Sequence, residues 1–166
     1  MTRRLLWLWP FLLVVGCAHA PPPQAALPSA PCHARLPFPD ATCTPGVLNP
    51  NVTQDNLAQT ICEPGYTKTI RPPASYTSSL KIRQIAEYGY ANPNPADFEE
   101  DHLIPLELGG HPTDPRNLWP EPHAGPTGSA SKDRIENALH ALVCSGQLSL
   151  EEAQRRITSD WTKAVP

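Results

Sequence analysis

Hydrophobic and polar positions divide the chain sharply. An apolar run from Leu5 to Val15, broken only by Pro10, follows Arg3 and Arg4. It is shorter than the ~20 apolar residues of a spanning helix, and its basic start marks a signal peptide. From there to about Thr44 no hydrophobic period exists, and prolines recur at Pro21, Pro22, Pro23, Pro28, Pro31, Pro37 and Pro39. Proline has no N–H and fixes φ, so this stretch is expected to be an extended, disordered tether.

Periodicity begins beyond it. Thr53 can cap a short helical turn running towards Cys62. Tyr66 to Ile70 alternates and predicts a short strand, stopped by Pro72 and Pro73. Leu80, Ile82, Ile85 and Ala86 predict a helix over Ser78–Tyr88, closed by Gly89. Phe98 to Leu108 carries the apolar burst Leu103-Ile104-Pro105-Leu106, then turns at Gly109-Gly110; Asn117–Pro120 predicts a second short strand. Ile135, Ala138, Leu139 and Leu142 fall at i, i+3, i+4 and i+7, predicting a helix capped by Ser131 and ended by Gly146. Ser149 and Glu152 form a capping box for a last helix carrying Ala153, Ile157 and Trp161. Strand, loop, strand, loop and helix give an α+β fold class, with further helices around a small two-stranded core.

The end of the apolar run changes the picture. Val14-Val15-Gly16-Cys17 resembles a lipobox, in which cleavage precedes Cys17 and its thiol is lipidated. Ala18-His19-Ala20 offers an ordinary cleavage site instead, but Pro21 would then stand first in the mature chain, where it is poorly tolerated. The lipoprotein reading divides the 166 residues into a signal peptide (1–16), a Pro/Ala-rich tether (17–42) and a domain (43–166). It places that domain in the cell envelope, lipid-anchored on the periplasmic or outer-membrane side. Cys32, Cys43, Cys62 and Cys144 remain. An even count in a small exported domain points to two disulfides. Three pairings are open, and Cys43–Cys62 with Cys32–Cys144 is the expected one. No two of the four have Cys-x-x-Cys spacing, which argues against a cysteine zinc site.

Net charge is −3, and loss of Arg3 and Arg4 makes the mature chain more acidic. That balance does not favour nucleic acid, although Lys68, Arg71, Lys81 and Arg83 cluster between Cys62 and Tyr90. There is no Gly-x-Ser-x-Gly elbow for a serine hydrolase, and the cysteines are accounted for without nucleophilic chemistry.

The chemistry concentrates in Glu99 to Pro120. Asp101 beside His102 sets a hard oxygen ligand next to an imidazole base, and Asn117 can tie the intervening loop by side-chain hydrogen bonds to backbone. Asp101-His102-x-x-Pro105, then Gly109-Gly110, then Asn117-Leu118 resembles the ββα-metal motif of HNH endonucleases. Asp101 to Pro120, with Lys132-Asp133, Glu136-Asn137, Leu139-His140, Val143-Cys144 and Asp160-Trp161, is also similar to a family of exported bacterial proteins described as HNH-like.

The resemblance implies a metal-dependent nuclease that cuts DNA or RNA. It assigns His102 as base, Asp101 as metal ligand and Asn117 as loop tie, with Mg, Mn or Zn as the ion. The place where colicin-type members carry their last histidine falls on Pro126. Asp133, Glu136 and His140, on one face of the predicted helix, are the substitute ligands, and Lys132 is the expected phosphate contact. Nucleic acid is then the substrate, the membrane is reached through the lipid, and no obligate protein partner is implied.

Each residue also has a plainer reading. His102 can hydrogen-bond within a polar turn, and Asp101 can pair with Arg116. Trp119 fits packing better than base stacking. Glu136 and His140 fit a solvent-facing helix surface better than metal ligation. No role is assigned to His111 or His123. The competing function is a degenerate HNH fold serving as a non-catalytic envelope binding module, with a metal-binding lipoprotein as a third class.

Overall fold

The computed structural model describes residues 31–165. The signal peptide, Cys17 and the first part of the tether lie outside them. Among the described residues no helix is long and apolar enough to cross a membrane.

Four α-helices surround one hairpin: α1 (Tyr66–Ile70), α2 (Ala74–Glu87), β1 (Phe98–His102), β2 (Leu118–Pro122), α3 (Ser129–Cys144) and α4 (Leu150–Asp160). β1 and β2 pair antiparallel, with Glu99 opposite Glu121, Asp101 opposite Trp119 and His102 opposite Leu118. The pleat therefore sets Glu99, Asp101 and Glu121 on one face. α3 covers that face, while α2 meets the hairpin from its other side, with Gln84 donating to the Leu118 carbonyl at 2.9 Å. The main core joins Ile104, Leu108, Leu139, Val143, Ala153, Ile157 and Trp161. A smaller cluster gathers Cys32, Cys43, Tyr88 and a fully buried Trp119.

Several expectations are corrected. Tyr66–Ile70 is a single helical turn and not a strand, with Arg71 N–H bonded to the Thr67 carbonyl at 3.0 Å. A strand needs a neighbouring edge to satisfy its backbone, and the only described sheet is the β1–β2 pair. The disulfides are Cys32–Cys43 and Cys62–Cys144, so the expected pairing is wrong. Folding brings α3 beside the turn before α1, whereas Cys32 stays close to Cys43 in a local loop. That loop moves the start of the fold. From Cys32 onward the expected tether is a folded strap: Cys32 N–H donates to the Glu87 carbonyl at 2.8 Å, and Trp161 Nε1 donates to the Pro37 carbonyl at 3.0 Å. α3 begins at Ser129 after Gly128, and Ser131 bonds back to Pro126 instead of capping it. Ser149 does cap α4, its hydroxyl accepting from Glu152 N–H at 3.2 Å.

Candidate active site at the end of the hairpin

His102 closes β1 and Asn117 immediately precedes β2, so both stand at the mouth of the loop 103–117. Asn117 is fully buried and spends its amide on that loop. Its Oδ1 accepts from Ile104 N–H at 3.0 Å, and its Nδ2 donates to the Ile104 carbonyl at 3.0 Å and the His111 carbonyl at 3.1 Å. The segment 46–49 laces the loop from outside: Gly46 N–H reaches the Arg116 carbonyl, and Asn49 N–H the Gly109 carbonyl. Gly110 is packed so closely that a Cβ there would lie 1.7 Å from the Ile104 carbonyl oxygen.

This loop holds the imidazole. His102 is 7% exposed, and its Nε2 lies 3.0 Å from the Pro112 carbonyl. A carbonyl can only accept, so Nε2 carries the proton and Nδ1 the lone pair. Burial pushes the His102 pKa below its ordinary value, against the opposing Pro112 bond and Asp101 charge. The ring is therefore neutral near pH 7, with its tautomer fixed. The Pro112 carbonyl is itself positioned by His111, whose Nδ1 accepts from Asp114 N–H at 3.0 Å, and by Tyr76, whose hydroxyl donates to the Thr113 carbonyl. Neither residue was assigned a role from the sequence. His-Pro-Thr-Asp-Pro is turn chemistry, but nothing in it reveals that the turn faces His102.

The α3 side differs from expectation more strongly. Lys132 is 1% exposed and cannot be a solvent-side phosphate contact. Its ammonium donates to Asp101 Oδ2 at 2.7 Å, to the His102 carbonyl at 2.9 Å and to Glu136 Oε1. Burial alone would lower the Lys132 pKa, but its pairing with Asp101 and Glu136 outweighs it and holds the charge in place. Asp101 thus pairs with Lys132, and Arg116 with Asp114. Glu136 is buried against Lys132 and not solvent-facing; burial raises its pKa to about 8.

Glu121, 1% exposed, has no hydrogen-bond partner on either oxygen; burial, with Asp101 beside it, pushes its pKa up to about 10. Glu100 is similarly without partners, and burial raises it to about 9. At neutral pH these two acids hold protons, which offsets the cost of burying their charge.

The ligand set expected for one metal does not assemble. Asp133 is exposed, and Asp101 and Glu136 are committed to Lys132. His140 turns away, its Nε2 lying 2.8 Å from the Ile61 carbonyl and 3.3 Å from Cys144 Sγ. Among the described residues one group of three metal-ligating side chains brings its atoms within 4.8 Å: Cys62, His140 and Cys144. That Cys-His-Cys cluster could hold a metal as thiolates. In the folded chain both sulfurs are joined in the disulfide, which is a poor ligand. A cavity of about 380 Å³ lies at the other end of the hairpin, lined by Tyr90, Asp97, Phe98, Pro122 and His123, away from His102.

Compared with protein-family models, curated proteins and solved structures, the chain matches none. The functional reading therefore rests on these residues and on the motif resemblance. The two disulfides suit an oxidising, extracellular environment.

Proposed function

We propose that the domain hydrolyses phosphodiester bonds of nucleic acid, with His102 as general base. The observation that carries this reading is the bond from His102 Nε2 to the Pro112 carbonyl, which leaves a neutral imidazole with its lone pair on Nδ1. A water against Nδ1 gives up its proton as its oxygen attacks phosphorus; the bond to the leaving oxygen breaks, and that oxygen takes a proton from solvent. Asn117 keeps the loop that carries the Pro112 carbonyl in register. Lys132 acts as a positioning residue through the His102 carbonyl. The Mg, Mn or Zn ion implied by the resemblance does not fit Asp101, Asp133, Glu136 and His140 as they stand, and no step is assigned to it. Lipid attachment at Cys17 would hold the domain at the envelope.

Cleavage of plasmid DNA and of RNA by the purified protein, with each metal and with EDTA, tests the proposal beside His102→Ala. The variant is expected to lose about 10²–10⁴ in rate. Because the base must be deprotonated and its pKa is lowered, the rising limb of the pH–rate profile falls below the usual histidine value of ~6.5, with a plateau at neutrality. Folded protein that cuts neither substrate under any condition would establish the second reading, a non-catalytic binding module on the same fold. The burial of Lys132 in the acidic centre favours that alternative.

A further inference from the structure

The acidic centre between β1 and α3 has the composition of a hard-cation site. Asp101 Oδ2, Glu136 Oε1 and the His102 carbonyl oxygen surround a single point, and calcium- or manganese-type ions take such all-oxygen sets. At that point stands Lys132 Nζ. A second observation also points to a cation there: Glu121, buried beside Asp101, has both oxygens without partners. Asp101 and Glu136 thus share a single ammonium, with Glu121 beside Asp101.

We infer that Lys132 is the resident cation of this centre: the native centre takes no divalent ion, and removing the ammonium turns Asp101, Glu136 and the His102 carbonyl into a divalent-cation site. Two arguments support the first half. The ammonium is delivered by the same helix that carries Glu136, four residues on, so it competes as an intramolecular ligand against an ion that must come from solution. It is also sealed in, and an entering ion would have to expel it through packed side chains. The second half follows from charge. Loss of the ammonium takes the counter-charge from Asp101, and a divalent ion at the same point restores it while drawing on the Glu136 and His102 oxygens. The Cys62–His140–Cys144 group does not interfere, because its sulfurs are bonded to each other and Mn²⁺ prefers oxygen.

The test reads ion binding and so stands whether or not the domain cuts phosphodiesters. Mn²⁺ is titrated into the purified full chain and followed by its free-ion EPR signal, with thermal unfolding measured in parallel. Native protein is expected to bind no Mn²⁺ up to about 1 mM, with an unchanged midpoint. Lys132→Met, similar in length but uncharged, is expected to bind one ion per chain and to gain several degrees of midpoint in Mn²⁺. Asp101→Asn added to it should abolish both effects. Stoichiometric Mn²⁺ binding by the native chain that disappears in Asp101→Asn would overturn the first half. A Lys132→Met variant that folds without binding Mn²⁺, or that does not fold even with it, would overturn the second.

Discussion

Two regions meet at His102 and bury their polar groups in opposite ways. In the loop 103–117 the demand is met by neutral hydrogen bonds: Asn117 serves Ile104 and His111, His111 serves Asp114, and the Pro112 carbonyl receives His102. On the other side of the same residue, under α3, it is met by charge. One ammonium faces Asp101 and Glu136, and Glu121 is left to hold its own proton. The loop's network of directional bonds specifies geometry, whereas the charged centre depends on where its protons are. His102 is thus held through its ring by the loop and through its carbonyl by the Lys132 ammonium.

Breaking the rigid side should have the largest effect. Gly110→Ala drives a Cβ into the Ile104 carbonyl and to 2.7 Å from Asn117 Nδ2, and backbone cannot retreat as a side-chain tip can. A loss of more than about 4 kcal/mol is expected in urea unfolding; a fully stable variant would show that the loop yields. Asn117→Asp is milder. It replaces a donor by an anionic oxygen facing two carbonyls, at a cost of about 3 kcal/mol, while Asn117→Gln retains the chemistry but not the reach.

The smallest change sharpens the contrast. Glu121 keeps its proton in the folded chain up to about 10, whereas the unfolded side chain releases it near 4.5. A raised carboxyl pKa gives stability that is fully present below the unfolded value and fades as pH climbs towards the folded one. Glu121→Gln cannot ionise, so it should match the parent at pH 4 and exceed it at pH 9 by about 1 kcal/mol or more. Parallel stability curves across that range would place the pH sensitivity elsewhere.

How far the sequence revealed these regions depended on the range of the interactions. The second strand, α3 and α4 could be read because their signals are local: the short run Asn117–Pro120, the i, i+3, i+4 spacing around Leu139, the Ser149 cap. Asp101, His102 and Asn117 stood out for the same reason. Lys132 was misplaced because Lys132 and Glu136, four apart, resemble any solvated pair on a helix surface; the partner that buries them, Asp101, is thirty-one residues away. Glu121 sat unnoticed between two prolines, since only strand register puts it opposite Glu99. The disulfides and Tyr66–Ile70 failed similarly, one needing the path of α3 and the other the absence of a strand edge.

The Cys62–Cys144 bridge has one more effect. It encircles α1, α2, the hairpin and α3, a span of 82 residues that includes His102, Asn117 and Lys132. A protease that nicks any exposed turn within that ring leaves both ends covalently joined, so the pieces cannot diffuse apart and the cut chain can close on itself again. That bond therefore guards the chain against the loss of a cut piece as well as bracing the fold.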